Sequence, residues 1–301
     1  MAKTNINDLP DDCIILILKQ CRLPLQGLIC LRSVCRRWQS IIIRQICYRK
    51  RTLKLFGSVE SDLITYCNFL LDYNLESNDR YRLKPIGRDD DMVVRIDCEH
   101  NYLCDLFPGI ENLVVYLTRF SSRMFNMPYL LENLGCLTSL TLIYMPYPID
   151  LQHQVWSAIN SMETLKELNL FYIFQCTISD EMPALAKLES FSLDGYYGDI
   201  VSVLRQLGPS LRRLHLDDIH CSIEQLQQGL AANPQLAEGL THLTIGSINN
   251  VKPVLNNLKR KQIFDFICAQ FRSLKYLAFT SYSTVSHSGK LSLFFSNNSP
   301  S

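Results

Sequence analysis

The sequence predicts an α/β protein: a short helical unit at the N-terminus, followed by an irregular solenoid whose strands line a curved parallel sheet. Three observations predict it. Apolar residues spaced by three and four, the spacing of a helix face, run through residues 6–43. An L-x-x-L-x-L pattern then recurs from Ile110 to Phe279. Between recurrences lie helix-like stretches, among them Gln154 to Met162, Ile200 to Leu207 and Ser222 to Ala231. A strand followed by a crossover helix, repeated, yields a parallel sheet, because parallel neighbours need a long connection.

In the helical unit, Asp8 is placed to cap a first helix, with Pro10 preorganised near its start and Asp11 and Asp12 favoured by the helix dipole. Ile14, Ile17, Leu18 and Cys21 fall on one side. Leu23-Pro24 breaks the helix. Leu28, Leu31, Val34, Cys35, Trp38 and Ile42 mark a second apolar stripe. Some 40 residues cannot bury a self-sufficient core. Part of these side chains must be covered by a partner or by the rest of the chain.

These residues resemble an F-box. The pattern is a Leu-Pro opening (Leu9, Pro10), an acid two places on (Asp12), then Ile14, Ile17 and Leu18, and after a loop Leu28, Leu31 and the closure Val34 to Trp38. Asp12 stands where Glu is common, and the loop around Leu25 to Gly27 is slightly long. The resemblance implies docking on the Skp-type adaptor of a cullin–RING ubiquitin ligase. The residues it implicates are Leu9, Pro10, Asp12, Ile14, Ile17, Leu18, Leu28, Leu31, Val34, Cys35 and Trp38.

The recurring triplets are Leu137-Leu140-Leu142, Leu165-Leu168-Leu170, Leu188-Phe191-Leu193, Leu211-Leu214-Leu216, Leu240-Leu243-Ile245 and Leu274-Leu277-Phe279, with a weaker Ile110-Leu113-Val115 upstream. From Leu113 the central residues advance by 27, 28, 23, 23, 29 and 34. This resembles the leucine-rich-repeat family over roughly residues 92–282, with insertions late in the chain. The family's Asn or Cys three places after the last leucine is replaced by Met145, Ile173, Tyr196, Ile219 and Ile248. The turns must satisfy their backbone groups in another way.

The expected organisation is residues 1–50 as the F-box, 51–91 as a connection or irregular first repeat, 92–282 as repeats and 283–301 as a flexible tail. Leu53 and Leu55 can begin a strand, Val59 to Leu71 reads as helix, Asn74 to Asp91 as an exposed loop and Val93 to Ile96 as a strand. Within the tail, Leu291 to Phe295 is placed to add a final strand.

A solenoid binds through its strand face and the loops beyond it. The candidate target-binding residues are Asn169, His215 and Asp217 on the strand face and Tyr144, Tyr172 and Tyr196 in the succeeding loops, since tyrosines supply contact area at little entropic cost. Eight bases without an acid, Arg32, Arg36, Arg37, Arg44, Arg49, Lys50, Arg51 and Lys54, read as a solvated basic face.

Composition narrows the function classes. With 30 basic and 29 acidic residues the net charge is +1, which gives no case for nucleic acid or a membrane surface as the principal partner. Cys13 to Leu18, the longest apolar run of the first fifty residues, is far short of the ~20 residues of a span. Asp8, Pro10, Asp11 and Asp12 interrupt what a secretory leader would need. The twelve cysteines include no C-x-x-C pair and read as reduced small hydrophobes. A cytoplasmic or nuclear location follows as an expectation. No phosphate loop, nucleophile elbow or metal motif occurs, so neither a catalytic residue nor a metal or other cofactor is expected. The expected function is that of a ligase adaptor holding a protein target, the alternative a repeat scaffold with no ubiquitin role.

Overall fold

The computed structural model describes residues 6–21, 30–47, 51–57, 91–96, 108–117, 127–144, 153–171, 182, 184–246, 248, 257–280 and 290–294. It begins with a 3₁₀ turn, Ile6–Asp8, and helix α1, Asp11–Gln20. Pro10, not Asp8, is the N-cap: Asp8 closes the 3₁₀ turn, and the Pro10 carbonyl accepts from Cys13 and Ile14. Asp11 and Asp12 occupy the first turn, where the helix dipole favours acids.

The second apolar stripe is not one continuous helix. Residues 30–32 are helical, then Ser33 Oγ donates to the Cys30 carbonyl at 2.6 Å and the chain turns. That hydroxyl offers the backbone an alternative to the helix. Cys35 is extended, and α2 starts afresh at Arg36–Ile41, continuing into a π-helical segment, Ile42–Cys47.

The strands are β1 Thr52–Gly57, β2 Asp91–Ile96, β3 Asn112–Leu117, β4 Ser139–Tyr144, β5 Glu167–Phe171, β6 Ser190–Tyr196, β7 Arg213–Ile219, β8 His242–Ile245, β9 Tyr276–Thr280 and β10 Lys290–Phe294. They form one sheet in the order β10-β9-β8-β7-β6-β5-β4-β3-β1-β2. All neighbours pair in parallel except β10, which runs antiparallel to β9. Only ten positions separate Thr280 from Lys290, too few for the usual crossover back to a parallel start. Asp91, read as the end of a loop, instead begins β2 opposite Thr52. The stretch expected to be a flexible tail therefore contributes a strand, although residues 283–289 and 295–301 lie outside the described residues. So do the expected helix Val59 to Leu71 and positions 74–90.

Register lines the apolar residues into two buried rows. Leu53, Leu113, Leu140, Leu168, Phe191, Leu214, Leu243 and Leu277 form one; Leu55, Val115, Leu142, Leu170, Leu193, Leu216, Ile245 and Phe279 form the other. At the strand starts, the carbonyls of Arg51, Glu111, Thr138, Lys166, Glu189, Arg212 and Thr241 each accept two N–H groups of the next strand at 2.8–3.0 Å. This ladder gives β3 to β9 the same starting geometry.

Around the sheet lie α3 Met127–Asn133, α4 His153–Ser161, α5 Ile200–Arg205, α6 Ile223–Ala231, α7 Pro234–Gly239 and α8 Asn257–Gln270. The expected helices appear as α4, α5 and α6. Their boundaries follow from caps: Asp199 accepts from Val201 at α5, and Ser222 with Gln225 forms a capping box at α6. No helix among the described residues is long and apolar enough to cross a membrane.

Tyr196 and Ile219 fill the core where the leucine-rich-repeat pattern would have Asn, at 0% and 2% exposure. Gly195 (φ 68°) and Asp218 (φ 47°) explain this. They occupy the same position of neighbouring strands, since Asp194 pairs with Asp217 and Tyr196 with Ile219. One left-handed residue shifts the in–out alternation by a step and turns the next side chain inward. The buried cluster runs without a break from Ile14, Leu18, Trp38, Ile41 and Ile42 through Leu53 and Leu55 to Phe279.

Candidate functional site

The N-terminal unit has two sets of apolar side chains with different fates. Ile14, Leu18 and Trp38, at 0%, 5% and 6% exposure, are buried in the chain's own core. Leu9 and Leu31 are half-buried against that core. Exposed instead are Leu16, Val34, Ile6 and Ile17, by 60%, 57%, 44% and 38%. Exposed Pro10, Asp12 and Cys35 belong to the same turn and helix starts, while Leu28 lies outside the described residues. Leu16 and Ile6 were not singled out from the sequence. The signal was there for Leu16, because Cys13 to Leu18 is apolar all round, more than one buried stripe requires.

Two side chains tie the opening of the unit to its closure. Arg37 Nε donates to Asp11 Oδ1 at 2.8 Å, and its Nη2 approaches the same oxygen at 2.6 Å. The guanidinium also donates to the Leu9 carbonyl at 2.5 Å and to the Asn7 carbonyl. Trp38 Nε1 donates to Asn7 Oδ1 at 2.9 Å. The basic segment is thus partly consumed by structure. Arg51 pairs with Glu111 at 2.8 Å and reaches the Gly109 carbonyl, and Lys54 is buried in β1. A uniformly solvated basic face is not what these three form.

The cysteines also depart from expectation. Among the described residues Cys13, Cys21, Cys30, Cys35, Cys136 and Cys268 are free and exposed; only Cys221 is buried, and burial pushes its thiol up to about 12.

On the strand face, Thr141, Asn169, Ser192, His215 and Thr244 form one register row. Asn169 Nδ2 donates to Thr141 Oγ1 at 3.2 Å and Glu167 Oε1 at 2.9 Å, and is half-buried like His215. Two proposed binding residues are not available: Tyr196 lies in the core, and Asp217 is 1% exposed. Asp217 Oδ1 accepts from the Asp218 N–H at 2.9 Å, and its carboxylate lies where a Cβ on Gly246 would be. Tyr197, half-buried, stacks on His220 with ring centroids 5.1 Å apart. Tyr172 and the Tyr144 side chain lie outside the described residues.

Asp194 and Asp217 are paired across β6 and β7. Burial first, then the charges of Asp217 and Asp218, hold the Asp194 carboxyl well above the usual aspartate range. Burial also raises Asp218, against an opposing pull from His220. A group whose folded pKa is raised favours folding in its protonated form, and that contribution fades as pH rises from the ordinary value of ~3.9 through the folded value. Asp194→Asn, which keeps the shape without the charge, is therefore expected to unfold at a higher denaturant midpoint than the parent at pH 7. The gap should close near pH 4; a gap equal at both values would refute the titration argument.

Residues 6–54 match the F-box-like family, so the helical unit just described is an F-box-like domain. The match takes in both the Leu9-Pro10 opening and the Val34 to Trp38 closure. No curated protein matches the chain.

Proposed function

We propose that this chain is the substrate-recognition adaptor of a cullin–RING ubiquitin ligase, its F-box-like domain docking a Skp-type adaptor and its strand-and-helix repeats holding a protein target. The observation that carries the reading is the coincidence of the F-box-like match at residues 6–54 with four exposed large apolar side chains, Ile6, Leu16, Ile17 and Val34, within those same residues. Large apolar side chains left in water on one small domain favour a partner that covers them. The docking surface in this reading comprises these four with Pro10 and Cys35, supported from within by Ile14, Leu18 and Trp38.

The repeat body is a leucine-rich-repeat solenoid in this reading, an assignment supported by the two apolar rows and the strand-start ladder. The chain does no chemistry itself and needs no cofactor. Holding a target beside a charged conjugating enzyme raises the effective concentration of its lysines, and others supply the reaction. Cytoplasm and nucleus are where such an assembly would work.

Expressed in cells, the full chain should co-purify with a Skp-type adaptor in stoichiometric amount, and Leu9→Ala with Pro10→Ala should remove it. If the wild-type chain captures no such adaptor, the ligase reading falls and the body is a scaffold without a ubiquitin role.

A further inference from the structure

Hydrogen bonds from α2 tie down the segment that precedes α1. The segment before α1 contains Ile6, Pro10 and the 3₁₀ turn, and its carbonyls at Asn7 and Leu9 point to one guanidinium rather than to a helix of their own. Arg37 thereby holds three partners at once: a carboxylate on the first turn of α1 and two carbonyls upstream of it. Only a planar fork with five donors spans such a set; a lysine ammonium is a compact point charge on a flexible stem. Arg37 itself sits on α2, two residues past Cys35 and three past Val34, so it ties the start of α2 to the segment that carries Ile6 and Pro10. Trp38 Nε1 on Asn7 Oδ1 fixes the same turn from the core side.

We infer that Arg37 is a positioning residue for adaptor docking: it holds the Ile6–Pro10 segment in its bound conformation before the partner arrives. This rests on the docking reading above. Its physical content is preorganisation, in which a segment already ordered loses less entropy on binding. Without the fork, Asn7 and Leu9 present unfixed carbonyls, and the partner must order the segment at the cost of affinity.

Calorimetric titration of the full chain with a purified Skp-type adaptor tests it, using wild type, Arg37→Ala, Arg37→Lys and, as a charge-loss control on the sheet body, Lys187→Ala. Arg37→Ala should weaken the dissociation constant by about 10-fold at unchanged stoichiometry. Arg37→Lys should recover only part of that loss, and Lys187→Ala should bind as wild type. A merely structural role predicts something different, because a misfolded fraction lowers the stoichiometry and leaves the affinity of the remainder intact. Lower stoichiometry at wild-type affinity, full recovery by Arg37→Lys, or unchanged binding by Arg37→Ala would each overturn the inference while leaving the docking reading in place. Failure of the wild-type chain to bind overturns both.

Discussion

Leu16→Asp together with Val34→Asp is expected to abolish capture of a Skp-type adaptor while leaving the melting temperature within a degree or two of the parent. The two side chains are the most exposed of the large apolar residues described, so the folded chain loses almost nothing when they become polar. The complex loses much more. Two apolar anchors vanish, and two carboxylates would have to be stripped of water inside the interface. A loss of at least about 100-fold, roughly 2.7 kcal/mol, is a conservative expectation. The same change at Ile14 or Leu18 would also destroy binding, but by unfolding the domain, and circular dichroism separates the two cases. Retained capture by a folded Leu16/Val34 variant would move the docking surface elsewhere.

Asn233→Ala is expected to cost about 3 kcal/mol of stability, a large effect for one polar side chain far from the docking domain. The Asn233 amide donates to the Leu204 carbonyl at 2.9 Å and the Leu207 carbonyl at 2.7 Å, both at the end of α5. Its oxygen accepts from Leu236 N–H at 3.1 Å and so caps α7. With the residue only 7% exposed, water cannot replace these bonds. Alanine leaves two buried carbonyls short and one helix uncapped. Urea denaturation should show a lower midpoint; Asn233→Asp should be worse still at neutral pH, since it retains the cap but faces two carbonyls with a negative charge. A loss under about 1 kcal/mol would mean that the three bonds are replaced.

The rows of buried leucines were legible in the sequence because burial on a strand recurs every second residue and the chain repeats it from strand to strand at a similar interval. The strands after Leu137, Leu165, Leu188 and Leu211 lie where that pattern put them. Legibility failed where one residue changes the backbone's sense. Tyr196 was read as a loop residue, but Gly195 at positive φ turns it inward, as Asp218 does Ile219; Asp217 keeps its place in the alternation and is buried because Gly246 leaves room for its carboxylate. Helices α3, α7 and α8 were missed because short or weakly patterned apolar stretches do not announce a period.

On the docking domain the motif spacing found the apolar positions but not which surface covers them. Ile14, Leu18 and Trp38 proved to be the chain's own interior, and Leu16, outside the motif, proved the most exposed. Arg37 read as one member of a basic run, since nothing in sequence shows that a cation 26 residues from Asp11 will close on it.

The unbroken apolar cluster from Trp38 and Ile42 into Leu53 and Leu55 makes the N-terminal unit and the first strands a single opening unit. Peeling the helices away would bare the sheet's first row, so amides of α1 and β1 should exchange with solvent at one common rate. A partner clamped to the helices would then slow exchange in β1 as well, by mass action on the closed form. The joint behaves as a bracket rather than a leash: under the adaptor reading proposed above, whatever the far strands hold would sit at a set distance and angle from a partner docked on the helices.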